Sequence, residues 1–228
     1  MSDRAYIAIA IDGPAASGKS STAQWVAERL GYRHVDSGSL YRALTAAMLR
    51  DGAPPEVWAP ESVLAQASRV SLRPEQHSFV ALIDGEPADD EIRGTAVTTL
   101  VSRVAVMATV RDWVNDQVRR AARSHDVVVD GRDMGTAVFP DAPLKIFLVA
   151  DPWERARRRL TQRLGRRPTD EEVAEETDVL VQRDSRDATQ TVQAKDAVLL
   201  DTTYLSQPEQ VERIVALAYA VSHRPTIT

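Results

Sequence analysis

IAIDGPAASGKSSTAQWVAERL, Ile9 to Leu30, holds the pattern on which the fold turns. A short apolar run leads into a glycine loop, and the loop leads into an amphipathic pattern of helical period. Gly13, Pro14, Ala15, Ala16, Ser17, Gly18, Lys19 and Ser20 satisfy G-x-x-x-x-G-K-[ST] at every position, with Ser21 directly behind. Successive backbone N–H groups in such a loop point into a concavity that fits phosphate oxygens, and the helix start adds partial positive charge. Lys19 is placed to reach the β- and γ-phosphates of a nucleoside triphosphate such as ATP, and the Ser20 hydroxyl to ligate Mg²⁺. The loop alone is compatible with a switch, a motor or a transferase. Which of these it serves depends on a second site.

Outward from the loop, apolar runs recur at 127–129, 144–149 and 197–200, with a weaker one at 33–35, and join the run at 6–11. Continuous hydrophobic runs mark parallel strands buried on both faces. Helical patterns alternate with them at 19–30, 39–49, 96–122, 153–164, 169–182 and 209–221. Thr169 with Glu172, and Ser206 with Glu209, carry capping-box signatures. Strands alternating with helices predict an α/β fold: a parallel five-stranded sheet with helices on both faces. The rhythm breaks over about 54–93, where 70–72 and 79–83 read as strand pieces and Asp84-Gly85 as a tight turn. The expectation is one domain over 1–228, with a core at 5–53 and 94–228, a small β-containing insert at 54–93 and a helical lid at about 155–190.

Composition narrows the classes. No apolar run in the 228 residues approaches the ~20 needed to span a bilayer, and no basic flank precedes the first one. This predicts a cytoplasmic chain without a membrane partner. The lack of cysteine excludes disulfides and thiolate-bound zinc. A net charge of −5 argues against nucleic acid as a partner. Of 28 basic residues only Lys19, Lys145 and Lys195 are lysines, so a lysine inside the loop is hard to read as chance in a chain that prefers arginine.

Three stretches could form a second anionic site. DSGSLYR, Asp36 to Arg42, ends the second predicted strand; Ser37 and Gly38 can open the next helix, with Arg42 on its first turn as a fork for a monophosphate. In VVVDGRDMG, Val127 to Gly135, Asp130 ends a strand where an acid can sit near Mg²⁺, and Arg132 and Asp133 follow in a glycine-flanked turn. From Arg155 to Arg186 arginines are dense. Most of them read as solvated helix faces, and a few as lid residues able to close over phosphates.

Together with DGRDMGTAVFPDAPLKIFL, the Arg183, Asp184 and Asp187 pattern and LLDTTYLS, these stretches resemble the bacterial cytidylate (CMP/dCMP) kinases of the nucleoside monophosphate kinase superfamily, from about residue 7 to 220. The resemblance implies ATP-dependent phosphorylation of CMP and dCMP. It implies that Gly13 to Ser21 hold ATP, and that Lys19, Arg132, Asp130 and Arg42 form the catalytic set. Ser37, Arg42 and Arg132 would take the CMP side, with the arginines at its phosphate. Ser102, Arg111 and Asp133 would read the cytosine, and Arg183 and Asp187 would contact sugar and phosphates as the lid closes. Ser20 would hold Mg²⁺, with Asp130 in its outer shell. One departure stands out: Gln190 occupies a position where the family usually has an arginine.

Base chemistry agrees with the cytosine assignment. A carboxylate such as Asp133 can accept from the exocyclic amine of cytosine, while Ser102 and Arg111 can donate to N3 and O2. Uracil would set a carbonyl against the carboxylate and leave polar groups unpaired. The competing readings are a kinase for UMP, AMP or shikimate, and a non-catalytic nucleotide switch. A monomer is expected.

Overall fold

The computed structural model describes residues 6–222. The outer limits of the expected core, residue 5 and residues 223–228, lie outside them. In chain order the described residues form β1 (Ala8–Asp12), α1 (Lys19–Leu30), β2 (Arg33–Asp36), α2 (Ser37–Asp51), α3 (Pro60–Ala65), β3 (Val70–Pro74), β4 (Phe79–Ile83), β5 (Glu86–Pro87), α4 (Asp89–Arg93), α5 (Thr95–Ala105), α6 (Ala108–Ala122), β6 (Val127–Gly131), β7 (Leu144–Val149), α7 (Pro152–Leu164), α8 (Asp170–Asp187), β8 (Val198–Asp201) and α9 (Gln207–Ser222).

Five parallel strands run in the order β2-β6-β1-β7-β8. Every residue of β1 is buried, and strand alternation sends its side chains to two cores. Ala8 and Ala10 join Val35, Val127 and Val129 in a core shared with α2, α5, α6 and the insert. Ile9 and Ile11 join Val26, Val128, Ile146 and Ile214. Ligands bind at the carboxyl ends of the strands in sheets of this kind. A third, smaller cluster of Ala15, Ala156, Leu160, Val173 and Leu180 packs α7 and α8 on each other and on the glycine loop. No helix among the described residues is long and apolar enough to cross a membrane.

The segment 54–93 carries the antiparallel sheet β3-β4-β5. Asp84 and Gly85, with φ of 55° and 86°, make the two-residue left-handed turn expected of that dipeptide. The insert also contains α3 and α4, of 6 and 5 residues, too short to show helical periodicity. Its β3–β4 turn closes the edge of β2: the His34 N–H donates to the His77 carbonyl (2.9 Å), and Arg33 Nε to that of Glu75 (2.7 Å).

The pattern read as one helix over 96–122 is two helices. Met107 is extended (ψ 114°) between α5 and α6. An unbroken helix would set Ser102 and Arg111 about 180° apart and about 13 Å along its axis. The break lets both line one cavity, and Arg111 ties it by donating to the Ala105 carbonyl (3.2 Å). Two smaller expectations also change. Because α2 begins at Ser37, capped by the Asp36 carboxylate, Arg42 sits on the second helical turn and not the first. Thr169 and Glu172 close their capping box in both directions. At the other site the Glu209 carboxylate accepts from both the N–H and the hydroxyl of Ser206, so the Ser206 side chain donates where a capping box has it accept.

Candidate active site

The glycine loop takes its shape from its neighbours as much as from itself. Gly13 has φ 147°, and a β-carbon there would collide with the Leu148 carbonyl of β7. Gly18, at φ 87°, turns the chain into α1. Pro14, Ala15, Ala16 and Ser17 form the loop between them. Lys19 is buried, and its ammonium donates to the Pro14 carbonyl (2.6 Å). Burial, followed by the nearby Arg132 charge, draws its pKa down to about 7. A polyphosphate in the loop would reverse that, since an adjacent anion favours the charged ammonium. Ser21 donates to the Gly18 carbonyl (3.0 Å), and Ser20 to Asp130 Oδ2 (2.7 Å).

Asp130 is also held from its other oxygen, where His34 Nε2 lies 2.6 Å from Oδ1. Burial alone would raise the Asp130 pKa, but the His34 and Ser20 hydrogen bonds and the Lys19 charge hold it below the ordinary range. Burial likewise works against a charged His34, and the Asp130 hydrogen bond overrides it and raises the imidazole. Ser37 sits beneath this pair, donating to the Asp130 carbonyl (2.8 Å). Asp12, at the end of β1, accepts from the N–H groups of Met134 and Gly135 (both 2.8 Å), and burial pushes its carboxyl up to about 6. Neither His34 nor Asp12 is among the residues that the sequence motifs mark. The rule that picked out Asp130, an acid ending an apolar strand, applies equally to Asp12; nothing in the sequence pairs His34 with a residue 96 positions away.

Two cavities meet over the loop. The larger, about 1060 Å³, runs from Gly18 and Ser21 across α7 to the segment 203–207. The smaller, about 220 Å³, is lined by Lys19, Ser20, Ser37, Ser102, Arg111, Asp130, Arg132, Asp133, Asp187 and Gln190 among others. Ala16, Arg42, Arg93 and Arg183 line both. Arg42 donates to the Ile92 carbonyl (3.1 Å) and Thr98 Oγ1 (3.0 Å). Arg132 reaches Asp187 (3.4 Å) and the Gly13 carbonyl (3.4 Å), and its buried Nε has no hydrogen-bond partner. Arg183 Nε is buried without a hydrogen bond as well; its ion-pair contact with Asp187, at 3.7 Å, is too long for one. Burial and the Arg132 charge bring the Arg183 pKa down to about 10. Cations packed this closely, with N–H groups unmatched, form a receptacle for an anion at the junction of two cavities.

In the smaller cavity Arg111 Nη2 donates to Asp133 Oδ2 (2.5 Å), and Ser102 lines the same cavity. Gln190 lines this cavity too and accepts from Arg111 Nη1 (3.0 Å). The arginine-dense stretch divides. Arg157, Arg163 and Arg166 are exposed and paired with Glu154, Glu176 and Glu172. Arg158 is anchored on the Thr202 and Thr203 carbonyls (2.6 and 2.9 Å). Arg155 departs from the expected solvated face. It is buried, donates to the Ala15 carbonyl (2.8 Å) and pairs with Asp184 (2.7 Å), whose other oxygen accepts the Ala15 N–H (3.3 Å).

Among the described residues no group of three or more His, Asp and Glu side chains could hold a metal by itself. The Ser20 hydroxyl and the Asp130 carboxylate make a partial oxygen set, which suits Mg²⁺ when phosphate and water complete it.

A parallel sheet with this loop at its central strand, and a second cationic pocket opposite, define a phosphotransferase of the P-loop kinase class. The cytidylate kinase family model matches residues 9–220. The cytidylate kinase of Geobacillus kaustophilus is 43% identical over 218 residues, covering 92% of this chain and 96% of that one. That of Chlorobaculum tepidum is 39% identical over 230 residues, covering 97% and 96%. A solved structure of an uncharacterised protein from Eubacterium ventriosum shares the fold at 12% identity, with a TM-score of 0.50 over 96% of this chain and 99% of that one. The chain belongs to the cytidylate kinase family.

Proposed function

We propose that the chain transfers the γ-phosphoryl group of ATP to CMP and dCMP, with the donor over the glycine loop and the acceptor in the smaller cavity. The observation that carries this is the junction itself: Arg42 and Arg183 face both cavities, and Arg132 and Arg183 keep buried N–H groups unmatched. Charge spreads over the transferring group in the transition state, and fixed cations there lower the barrier. Lys19 and the backbone of residues 13–21 hold the donor phosphates. Ser37, Arg42 and Arg132 hold the acceptor phosphate, whose oxygen is already ionised and needs no general base. Ser20 and Asp130 would hold Mg²⁺, which when bound would supply positive charge to the donor phosphates.

Ser102, Arg111 and Asp133 read the base. With no base present, Arg111 and Asp133 neutralise each other; a cytosine amine gives Asp133 a donor and frees Arg111 for O2 and N3. Residues 54–93 and 155–190 act as mobile covers that exclude water, with Arg183 and Asp187 at the sugar and phosphates. On this reading the enzyme is a cytoplasmic monomer working on small molecules. The test is ADP release with CMP, dCMP, UMP, AMP and shikimate as acceptors. Stimulation by CMP and dCMP well above UMP is expected. Stimulation by AMP or shikimate alone would overturn the acceptor, and hydrolysis indifferent to any acceptor would overturn the kinase reading.

A further inference from the structure

We infer that Gln190 positions Arg111 for base reading and thereby sets acceptor preference, a role resting on the proposed contact of Arg111 with the acceptor's base. Arg111 is held from three sides: Nη2 on Asp133, Nη1 on Gln190 and on the Ala105 carbonyl, with its guanidinium 5.9 Å from the centre of the Tyr41 ring. A guanidinium only donates, so Gln190 must present its carbonyl oxygen, which fixes the orientation of the amide.

The holders differ in what a base does to them. Asp133 must turn an oxygen to an arriving exocyclic amine, weakening its grip on Arg111. Gln190 is neutral and can keep hold of Nη1 while that exchange takes place, so the guanidinium stays in its plane. A cation at position 190 would repel Arg111 toward Asp133 and strengthen the self-pairing that a base has to break. The Gln190 backbone N–H donates to the Asp187 carbonyl (2.9 Å), so the holder is fastened to the end of α8, whose Asp187 side chain also meets Arg132 and Arg183.

Gln190→Met keeps the length of the side chain and removes the acceptor; Gln190→Glu keeps an acceptor oxygen. For Gln190→Met the expected result is a KM for CMP raised about five-fold and a CMP/UMP ratio of kcat/KM lowered by about the same factor, the size of one hydrogen bond. The kcat, the KM for ATP and the Tm should stay near wild type. Gln190→Glu should bring the KM for CMP back to within about two-fold of wild type. The assignment is overturned if Gln190→Met leaves the KM for CMP and the CMP/UMP ratio unchanged. It is equally overturned if the loss is the same for both acceptors and comes with a lower Tm and a raised KM for ATP, the mark of a general packing role. A wild-type chain that phosphorylates no CMP would overturn the proposed function itself, and this assignment with it.

Discussion

The donor and acceptor halves of the site are built on opposite plans. The proposed donor half is nine consecutive residues, Gly13 to Ser21, a loop of backbone N–H groups that bends at positive φ at Gly13, Ala16 and Gly18. The proposed acceptor half is assembled from side chains on α2, α5, α6, α8 and the turn after β6, residues spread from 37 to 187 in the chain. The difference shows in the charges. The side chains of the smaller cavity are largely neutralised by one another, Arg111 by Asp133 and Arg132 by Asp187, whereas among the described residues Lys19 hydrogen-bonds only neutral oxygens. A backbone cradle has few internal pairs to give up, the Ala15 N–H on Asp184 being one, whereas a side-chain pocket must exchange several internal pairs for external ones. The first suits a ligand common to many enzymes, and the second suits discrimination.

Lys19→Ala gives the largest expected effect, a loss of about 10²–10³-fold in kcat, typical of removing one fixed charge from a transferring group. CMP affinity by calorimetry should change little, and a large loss there would mean the halves are not separable. Next, His34→Ala strips the buried Asp130 of its partner and should cost about 3 kcal/mol of stability in denaturant titrations.

The same pair makes stability depend on pH. In the fold His34 titrates above its unfolded value of 6.5, so the stability from its charge is complete below pH 6.5 and is lost as pH rises through the elevated native value. Asp130 titrates below 3.8, so its share is present above pH 3.8 and is lost as pH falls through the depressed native value. In melting curves from pH 5 to 9, Gln in place of His34 should flatten the alkaline decline; an unchanged slope would exclude His34 as its source.

Asp133→Ala addresses the acceptor half alone. The CMP/UMP ratio of kcat/KM should fall about 10- to 100-fold, the range for a lost base-edge contact; an unchanged ratio would mean the base is read elsewhere. The smallest effect tests neither half. Thr169→Ala, at the exposed start of α8, should cost about 1 kcal/mol of stability through its cap and leave both KM values alone.

The same contrast explains what could be read from the sequence. The contiguous elements were legible: α1 spans Lys19–Leu30, and β7 Leu144–Val149, with the expected bounds, and the β1-loop-α1 unit needs no information from elsewhere in the chain. What escaped depends on partners distant in sequence. The break at Met107 is the exception: the local pattern there is helical throughout, and what accompanies the break is a short-range contact, Arg111 on the Ala105 carbonyl six residues back. The burial of Arg155 is decided by Ala15 and Asp184, and the place of Gln190 by Arg111. Ser102, Arg111 and Asp133 line one cavity, but what puts them together in the sequence is family resemblance and not spacing.

Gly13 shows how such a motif can outlive its chemistry. What forbids a side chain there is the Leu148 carbonyl and a φ of 147°, neither of which involves a phosphate. A descendant that had lost all transferase activity would still be selected to keep this glycine as long as β1 and β7 stayed neighbours, while Lys19 would be free to drift. When such loops are used to trace ancestry, their first letter records a fold that has been retained, and evidence that the reaction has been retained must come from the lysine.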